Sequence, residues 1–200
     1  MQTLVATTRV ILCIVAATLA AGLSLSAYVA DPEAGRRKAE CCAQCHGPNG
    51  NSTQATIPSL AGQPPLHTYY QLLQYRDKRR FDPKMSPEAA HLSDRDMQGI
   101  AAYYASQTPK SNSTDTDADK AALGKTISER HHCHSCHKPG LTGQNHIPRL
   151  AGQPYAYLVK QLRGLRAGTR PDIDGNMAMA AQPLSDQDIE YLAHYISALK

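Results

Sequence analysis

The chain contains no tryptophan and only one phenylalanine, so the large side chains that usually fill a protein core are scarce. Ten tyrosines compensate only in part. A length of 200 residues suits one or two domains. A domain of roughly 80 residues buries little core and often needs a metal, a disulfide or a cofactor to hold it. The composition therefore favours a large bound apolar group.

The chain also lacks a concentrated charge of one sign. The formal net charge is +4, and acidic and basic residues are interspersed. This excludes no binding function outright, but it argues against a nucleic-acid partner, which needs a concentrated basic face. The densest basic run comprises Arg76, Lys78, Arg79 and Arg80. We interpret it first as a solvated loop or helix end, and second as a docking patch for an acidic redox partner.

Charge is absent over one long stretch, residues 10–30, which follows Arg9. These 21 residues indicate an export signal and are long enough to span a bilayer. Leu25 and Tyr28 stand where a cleavable signal prefers small residues. Residues 1–30 are therefore a cleaved signal peptide or a retained membrane anchor. Either interpretation puts the rest of the chain outside the cytoplasm.

Three blocks of sequence recur in the same order, with offsets of 91, 90 and 92 residues. They are C-A-Q-C-H and C-H-S-C-H, I-P-S-L-A-G-Q-P and I-P-R-L-A-G-Q-P, and L-S-D-R-D and L-S-D-Q-D. One domain has therefore been duplicated. We assign residues 31–107 to the first lobe and 121–200 to the second. The polar segment 108–120 between them lacks an apolar period and is predicted to be a linker.

Both lobes are predicted to be all-α, because no alternating Val/Ile run indicates a sheet. A proline pair predicts a helix over residues 66–79, and its counterpart is 155–165. Ser93-x-x-Asp96 and Ser185-x-x-Asp188 resemble helix capping boxes. Three apolar stripes at helical spacing are predicted to be core: Leu66, Tyr69, Tyr70 and Leu73; Met97, Ile100, Ala101 and Tyr104; Ile189, Leu192, Ala193 and Ile196.

The C-x-x-C-H motif occurs twice, and it is a signature of covalent haem attachment. Two thiols three positions apart lie on one side of a helical turn and can add to the vinyl groups of one haem, while the adjacent histidine reaches the iron. A zinc site or a redox dithiol is the alternative. It is less favoured because each pair is followed by histidine and heads its own repeat. The candidate residues are Cys42, Cys45, His46, Cys133, Cys136 and His137.

A second iron ligand should recur at the same place in both repeats. Met85 and Met177 each lie seven residues before the leucine of the L-S-D-x-D block, and they follow the motif histidines by 39 and 40 residues. A thioether is a soft ligand, and His/Met ligation raises the haem reduction potential. Met179 competes with Met177 in the second lobe, but only Met177 keeps the spacing. Met97 is expected to be a core residue.

These motifs together, over about residues 34–199, resemble the two-domain class I cytochromes c of the cytochrome c4 family. The resemblance implies two tandem all-α cytochrome c folds packed together, two covalently attached haem c groups, and haem propionates near the lobe interface. It implies a periplasmic electron carrier, often membrane-associated, rather than an enzyme. Its partners would be a membrane donor such as a quinol–cytochrome c reductase and a terminal oxidase. By the same resemblance, the carbonyls of Pro58 and Pro148 accept a hydrogen bond from the ligating histidines.

The motif regions also carry residues outside the pattern. Cys41 directly precedes the first motif, and we expect a buried small residue, with a free thiol or a dimer disulfide as alternatives. His131, His132 and His134 crowd the second motif and are expected to be solvated. Two rival functions stay open. One is an electron-entry subunit of a larger membrane complex, and the other, less favoured, is a dihaem peroxidase.

Overall fold

The computed structural model of the chain describes residues 32–111 and 116–200. Within these ranges the ordered elements are helices and 3₁₀ turns, with one isolated β-bridge between Gln144 and Ile147. The all-α prediction is therefore confirmed. None of the helices in these ranges is long and apolar enough to cross a membrane. The predicted export segment, residues 1–30, lies outside the described residues.

Each repeat contains five helices of corresponding order. In the first lobe they are α1 (Pro32–Lys38), α2 (Ala43–His46), α3 (Pro65–Arg76), α4 (Met85–Ala89) and α5 (Asp94–Ala105). In the second lobe they are α6 (Ala118–Arg130), α7 (Cys133–His137), α8 (Tyr155–Arg166), α9 (Asn176–Ala181) and α10 (Asp186–Ala198). A 3₁₀ turn follows each cysteine helix, at Pro48–Gly50 and at Pro139–Leu141.

Both predicted capping boxes are present. Ser93 accepts a hydrogen bond from the backbone N–H of Asp96 at 3.1 Å, and the Asp96 carboxylate accepts from the N–H of Ser93 at 3.1 Å. Ser185 and Asp188 repeat the arrangement at 3.0 and 2.9 Å. These reciprocal bonds satisfy backbone donors that the first turn leaves free, and they set where α5 and α10 begin.

The core stripes of α5 and α10 are buried as predicted, with every side chain at most 3 % exposed. The stripe predicted for α3 is different. Leu66 is 47 % exposed, and its three partners are half-buried. The buried residues of α3 are instead Thr68, Gln74 and Tyr75. The prediction was wrong here because helical periodicity selects apolar residues without regard to the second lobe, which α3 also contacts: His67 Nδ1 lies 3.1 Å from the carbonyl oxygen of His146.

The first and last helices of each lobe cross at a glycine. A Cβ atom added to Gly35 of α1 would lie 1.9 Å from the backbone oxygen of Gly99 in α5. A Cβ atom added to Gly124 of α6 would lie 2.0 Å from the backbone oxygen of Tyr191 in α10. Only a residue without a side chain allows two backbones to come so close. This crossing joins the two ends of each lobe.

The segment predicted to be a linker is attached to both lobes. The Asn51 side chain accepts a hydrogen bond from the N–H of Lys110 at 2.7 Å and donates to the carbonyl of Thr108 at 3.2 Å. The last residues of the predicted linker are already helical, because α6 begins at Ala118. Asp117 caps that helix, and its own N–H donates to Nδ1 of His194 at 3.2 Å.

The two lobes meet through a reciprocal pair of glutamines from the repeated A-G-Q sequence. Gln63 donates to the carbonyl of Arg149 at 2.7 Å and accepts from its N–H at 3.0 Å. Gln153 makes the same pair of bonds with Ser59, at 2.8 and 3.0 Å. Both glutamines are buried. We call these four bonds the amide clamp.

The basic run has three different environments. Arg76 forms an ion pair with Asp94 at 2.6 Å, and Lys78 and Arg79 are exposed. Arg80 is 8 % exposed, and its guanidinium donates across the lobe boundary to Gln161 at 2.8 Å. The expectation of a solvated run was therefore wrong for Arg80, because the chain after α3 turns into the lobe interface.

Breaking the amide clamp should destabilise the protein. In Gln153→Leu, the N–H and carbonyl of Ser59 lose their partners inside the interface, and each buried unpaired group costs about 1–3 kcal/mol. We expect the free energy of unfolding in guanidinium chloride to fall accordingly. Gln187→Leu is the matched control, because Gln187 is exposed. Equal stability of the two variants would contradict a structural role for the clamp.

His194 should make stability depend on pH. Burial, and then the nearby Lys120, lower the pKa of His194 below its usual 6.5, against the opposing charges of Asp117 and Glu190. The unfolded chain therefore binds more protons below pH 6.5. The stabilising contribution of neutral His194 should be complete above pH 6.5 and should be lost as the pH falls through the pKa of His194 in the folded protein. Denaturation curves should give a pH slope that is smaller in His194→Asn. An identical slope would exclude His194 as its source.

Candidate haem sites

The paired cysteines lie on one helical turn in each lobe. Cys42 occupies the N-cap of α2 and Cys133 begins α7. Both are half-buried, whereas Cys45 and Cys136 are exposed. Burial, and then the neighbouring Cys41 thiol, raise the pKa of Cys42 to about 12, and burial also raises the pKa of Cys133. The inner thiols are therefore neutral at physiological pH.

The motif histidines are oriented by prolines. His46 Nδ1 lies 2.8 Å from the carbonyl oxygen of Pro58, and His137 Nδ1 lies 2.9 Å from that of Pro148. A carbonyl can only accept, so each Nδ1 carries the hydrogen and donates it. The lone pair of each imidazole is then on Nε2, which has no hydrogen-bond partner among the residues that the structure describes.

Burial keeps these imidazoles neutral. Both histidines are 5 % exposed, and burial lowers the pKa of each, opposed in part by the proline carbonyl. A neutral imidazole with Nδ1–H donated to a carbonyl is the form that binds metals through Nε2. Each lobe thus has one imidazole nitrogen suited to metal binding, directly after its pair of cysteines in the sequence.

Each candidate methionine lies in the first turn of a short helix, where an aspartate from the preceding loop accepts backbone hydrogen bonds. Asp82 accepts hydrogen bonds from the N–H groups of Lys84 and Met85, at 3.0 and 3.2 Å. Asp172 accepts from those of Met177 and Ala178, at 2.6 and 3.2 Å. Although burial acts to raise it, the amide hydrogen bonds lower the pKa of Asp82. The cap fixes the backbone that carries each methionine.

The two competing methionines of the second lobe differ in exposure. Met177 is half-buried and packs against the core of that lobe. Met179 is 65 % exposed. In the first lobe, Met97 is completely buried in the core, as expected for a residue without a ligand role.

The donor set fits haem c. Each lobe combines two thiols on one turn, a neutral imidazole with an unused Nε2, and a half-buried thioether on a capped helix. These groups would form two thioether bonds to haem c and would supply two iron ligands of different softness. The fit rests on the tautomer and burial of the histidines, which a zinc site of four cysteines would not require.

The aspartates were missed by the sequence analysis, although a signal for them exists. Arg80-Phe81-Asp82 and Arg170-Pro171-Asp172 form an R-x-D pair at the same offset of 90 residues as the I-P-x-L-A-G-Q block. Two matching residues out of three are a weak sign of a repeat by themselves. Only the register of the longer blocks makes the pair recognisable.

Most of the residues outside the motif pattern are exposed. Cys41 is exposed, with its Sγ 4.0 Å from Sγ of Cys42 and donating to the Lys38 carbonyl at 3.4 Å. The expectation that Cys41 is buried was wrong, because the turn between α1 and α2 points it away from the core. His132 and His134 are exposed and His131 is half-buried.

Comparison with known proteins agrees with this geometry. The family models "Cytochrome c" and "Cytochrome C oxidase, cbb3-type, subunit III" match residues 121–200 and 31–103. Cytochrome c4 of Pseudomonas aeruginosa is 36 % identical over 93 % of this chain and 98 % of its own. The crystal structure of reduced cytochrome c4 from Pseudomonas stutzeri superposes with a TM-score of 0.79 at 33 % identity, covering 86 % of this chain and 100 % of that one.

A relative with a different name matches less of the chain. The thiosulfate dehydrogenase electron acceptor of Stutzerimonas stutzeri is 33 % identical over 80 % of this chain and 79 % of its own. The sequence identity and coverage of the matches to cytochromes c4, together with the two repeated haem sites, decide between these relatives. The chain therefore belongs to the cytochrome c4 family, the electron-transfer proteins that carry two covalently bound haem c groups.

Proposed function

We propose that this chain is a periplasmic electron carrier in which one histidine and one methionine ligate each haem iron. His46 and Met85 serve the first haem, and His137 and Met177 serve the second. The thioether bonds are made by the four motif cysteines: Cys42, Cys45, Cys133 and Cys136. The carbonyls of Pro58 and Pro148 orient the two imidazoles.

The observation that carries this proposal is the state of the two histidines. Each is buried and neutral, and each donates Nδ1–H to a proline carbonyl at 2.8 or 2.9 Å. The carbonyl holds the ring in one orientation and increases the donor strength of Nε2. Haem c, when bound, supplies an iron that accepts and releases one electron.

The methionines complete the argument for a carrier rather than an enzyme. The aspartate caps hold Met85 and Met177 at the start of their helices, so a thioether is held at a fixed place on the backbone in both lobes. With both a histidine and a methionine bound, each iron would have no free coordination position for a substrate. A dihaem peroxidase would need one such position, so we favour electron transfer.

The direction of electron flow follows from the family resemblance. We propose a membrane donor such as a quinol–cytochrome c reductase and a terminal oxidase as acceptor. The name of one relative supports a second candidate, acceptance of electrons from a thiosulfate dehydrogenase. The export segment, residues 1–30, lies outside the described residues. We propose that the carrier is either free in the periplasm, if this segment is cleaved, or anchored to the membrane there, if it is retained.

Exchange of the candidate methionines should identify the second ligand. Met177→Ala should remove the weak far-red absorption band of Met-ligated ferric haem from one lobe and lower the potential of that haem, because the thioether favours the reduced iron. Met179→Ala is the control and should change neither, since its side chain is 65 % exposed. Loss of the band in Met179→Ala, with Met177→Ala unchanged, would reverse the assignment.

Rapid mixing with purified partners should distinguish the two donors. We expect quinol–cytochrome c reductase with quinol to reduce both haems, and membranes containing a terminal oxidase to reoxidise them in a cyanide-sensitive reaction. Reduction only by thiosulfate with thiosulfate dehydrogenase would favour the second candidate. Rapid consumption of hydrogen peroxide with an external donor would instead indicate a peroxidase.

A further inference from the structure

The segment that leads to the candidate methionine is longer in the second lobe than in the first. Met85 follows its capping aspartate, Asp82, by three residues, whereas Met177 follows Asp172 by five. Each residue that is held in one conformation costs conformational entropy. The longer segment therefore needs an additional contact if it is to be fixed as firmly as the shorter one.

Asp174 lies in this longer segment and makes such a contact. Its Oδ1 atom accepts a hydrogen bond from the N–H of Asn176, the first residue of α9, at 3.1 Å. Its Oδ2 atom lies 3.2 Å from Nε2 of His146. Although burial acts to raise it, hydrogen bonds from Asn176 and His146 lower the pKa of Asp174. The carboxylate is therefore ionised at neutral pH, and His146 is the donor.

His146 belongs to a tight turn that precedes Pro148. Gln144 and Ile147 exchange backbone hydrogen bonds at 2.9 and 2.8 Å, which closes the turn. The carbonyl of Pro148, the next residue, accepts the hydrogen bond that orients His137, at 2.9 Å. The pair of His146 and Asp174 therefore connects the support of the candidate histidine ligand with the start of the helix that carries the candidate methionine.

The first lobe also contacts this turn. His67 of α3 donates Nδ1–H to the carbonyl of His146 at 3.1 Å. Burial, opposed in part by this hydrogen bond, lowers the pKa of His67 to about 3, so its ring is neutral at physiological pH. The backbone of His146 is thus held across the lobe boundary while its side chain reaches Asp174.

The first repeat has no counterpart of this pair. Thr56 stands at the position of His146 in the register of the I-P-x-L-A-G-Q blocks. Only Pro83 and Lys84 lie between the capping aspartate and the methionine, and neither has a carboxylate. The contact is therefore specific to the second lobe, which is the lobe with the longer segment.

We propose that His146 and Asp174 are positioning residues that keep Met177 on the iron of the second haem. This inference rests on the proposed function, because it requires Met177 to be an iron ligand. The pair offsets the entropy of the longer segment by tying it to the turn before Pro148. Loss of the pair should make Met177 easier to displace and should leave Met85 unaffected.

Free imidazole measures how readily each methionine leaves its iron. It can bind a ferric haem only in the fraction of molecules in which the methionine has moved away, so its apparent affinity reports that fraction. The oxidised two-haem protein is titrated with imidazole, and loss of the far-red band is followed. The phase that is missing from Met177→Ala belongs to the second haem.

Two single variants test the pair. In His146→Ala and Asp174→Asn, the imidazole concentration at the midpoint of the second-haem phase should fall about two- to fivefold, the modest effect of a partly exposed ion pair. The first-haem phase should not move. Glu190→Gln is the matched control, because Glu190 is an exposed carboxylate of the same lobe that pairs with Arg163 at 3.3 Å. It should behave as the wild-type protein does.

The double variant shows whether the two residues act together. If they do, combining His146→Ala with Asp174→Asn should lower the midpoint no further than the more affected single variant does, whereas independent effects would multiply. Multiplied effects would overturn the proposal, as would a second-haem midpoint that stays at the wild-type value in the single variants. Each side chain of the pair is 39 % exposed, and a folding defect in one single variant leaves the other as the test.

The same titration separates this proposal from the proposed function. A wild-type protein without covalent haem, or without a phase that Met177→Ala removes, would contradict the function. Two methionine-ligated haems with the same imidazole midpoints in all of the variants would contradict only the role of His146 and Asp174.

Discussion

The hydrogen bond from a buried imidazole to a proline carbonyl is the interaction on which each lobe depends. It determines the tautomer, because a carbonyl accepts and cannot donate, and it leaves Nε2 as the only lone pair of the ring. His46 and His137 make this bond at 2.8 and 2.9 Å. The other candidate groups in each lobe are the thiols on the same helical turn and the methionine near the start of a short helix.

Duplication has made the two lobes partners of each other. Two of the residues that contact the other lobe, one in each repeat, correspond to each other, so this part of the interface has an approximate two-fold symmetry. Gln63 and Gln153 form the clearest example, since each pairs with both backbone groups of a residue in the opposite lobe. Because backbone groups are the targets, the clamp tolerates Ser59 in one lobe and Arg149 in the other.

The symmetry is broken where charge enters the interface. Arg80 is held by two glutamine side chains and a tyrosine ring, whereas Arg170 keeps an unpaired Nε. The motif surroundings differ as well, with an extra thiol beside the first motif and extra histidines beside the second. Two corresponding haem sites therefore lie in unequal electrostatic environments, which is the property that allows two haems in one chain to differ in potential.

The sequence by itself determined the duplication, the helical class, the capping boxes and the haem motifs, because each of these depends on residue types at short, regular spacings. The core of α10 followed for the same reason. The α3 stripe did not, and neither did the burial of Arg80, the exposure of Cys41 or the partners of Gln63 and Gln153. Those were decided only by the tertiary structure, since a side chain's neighbours depend on how two lobes far apart in sequence pack together, and no local pattern records that packing.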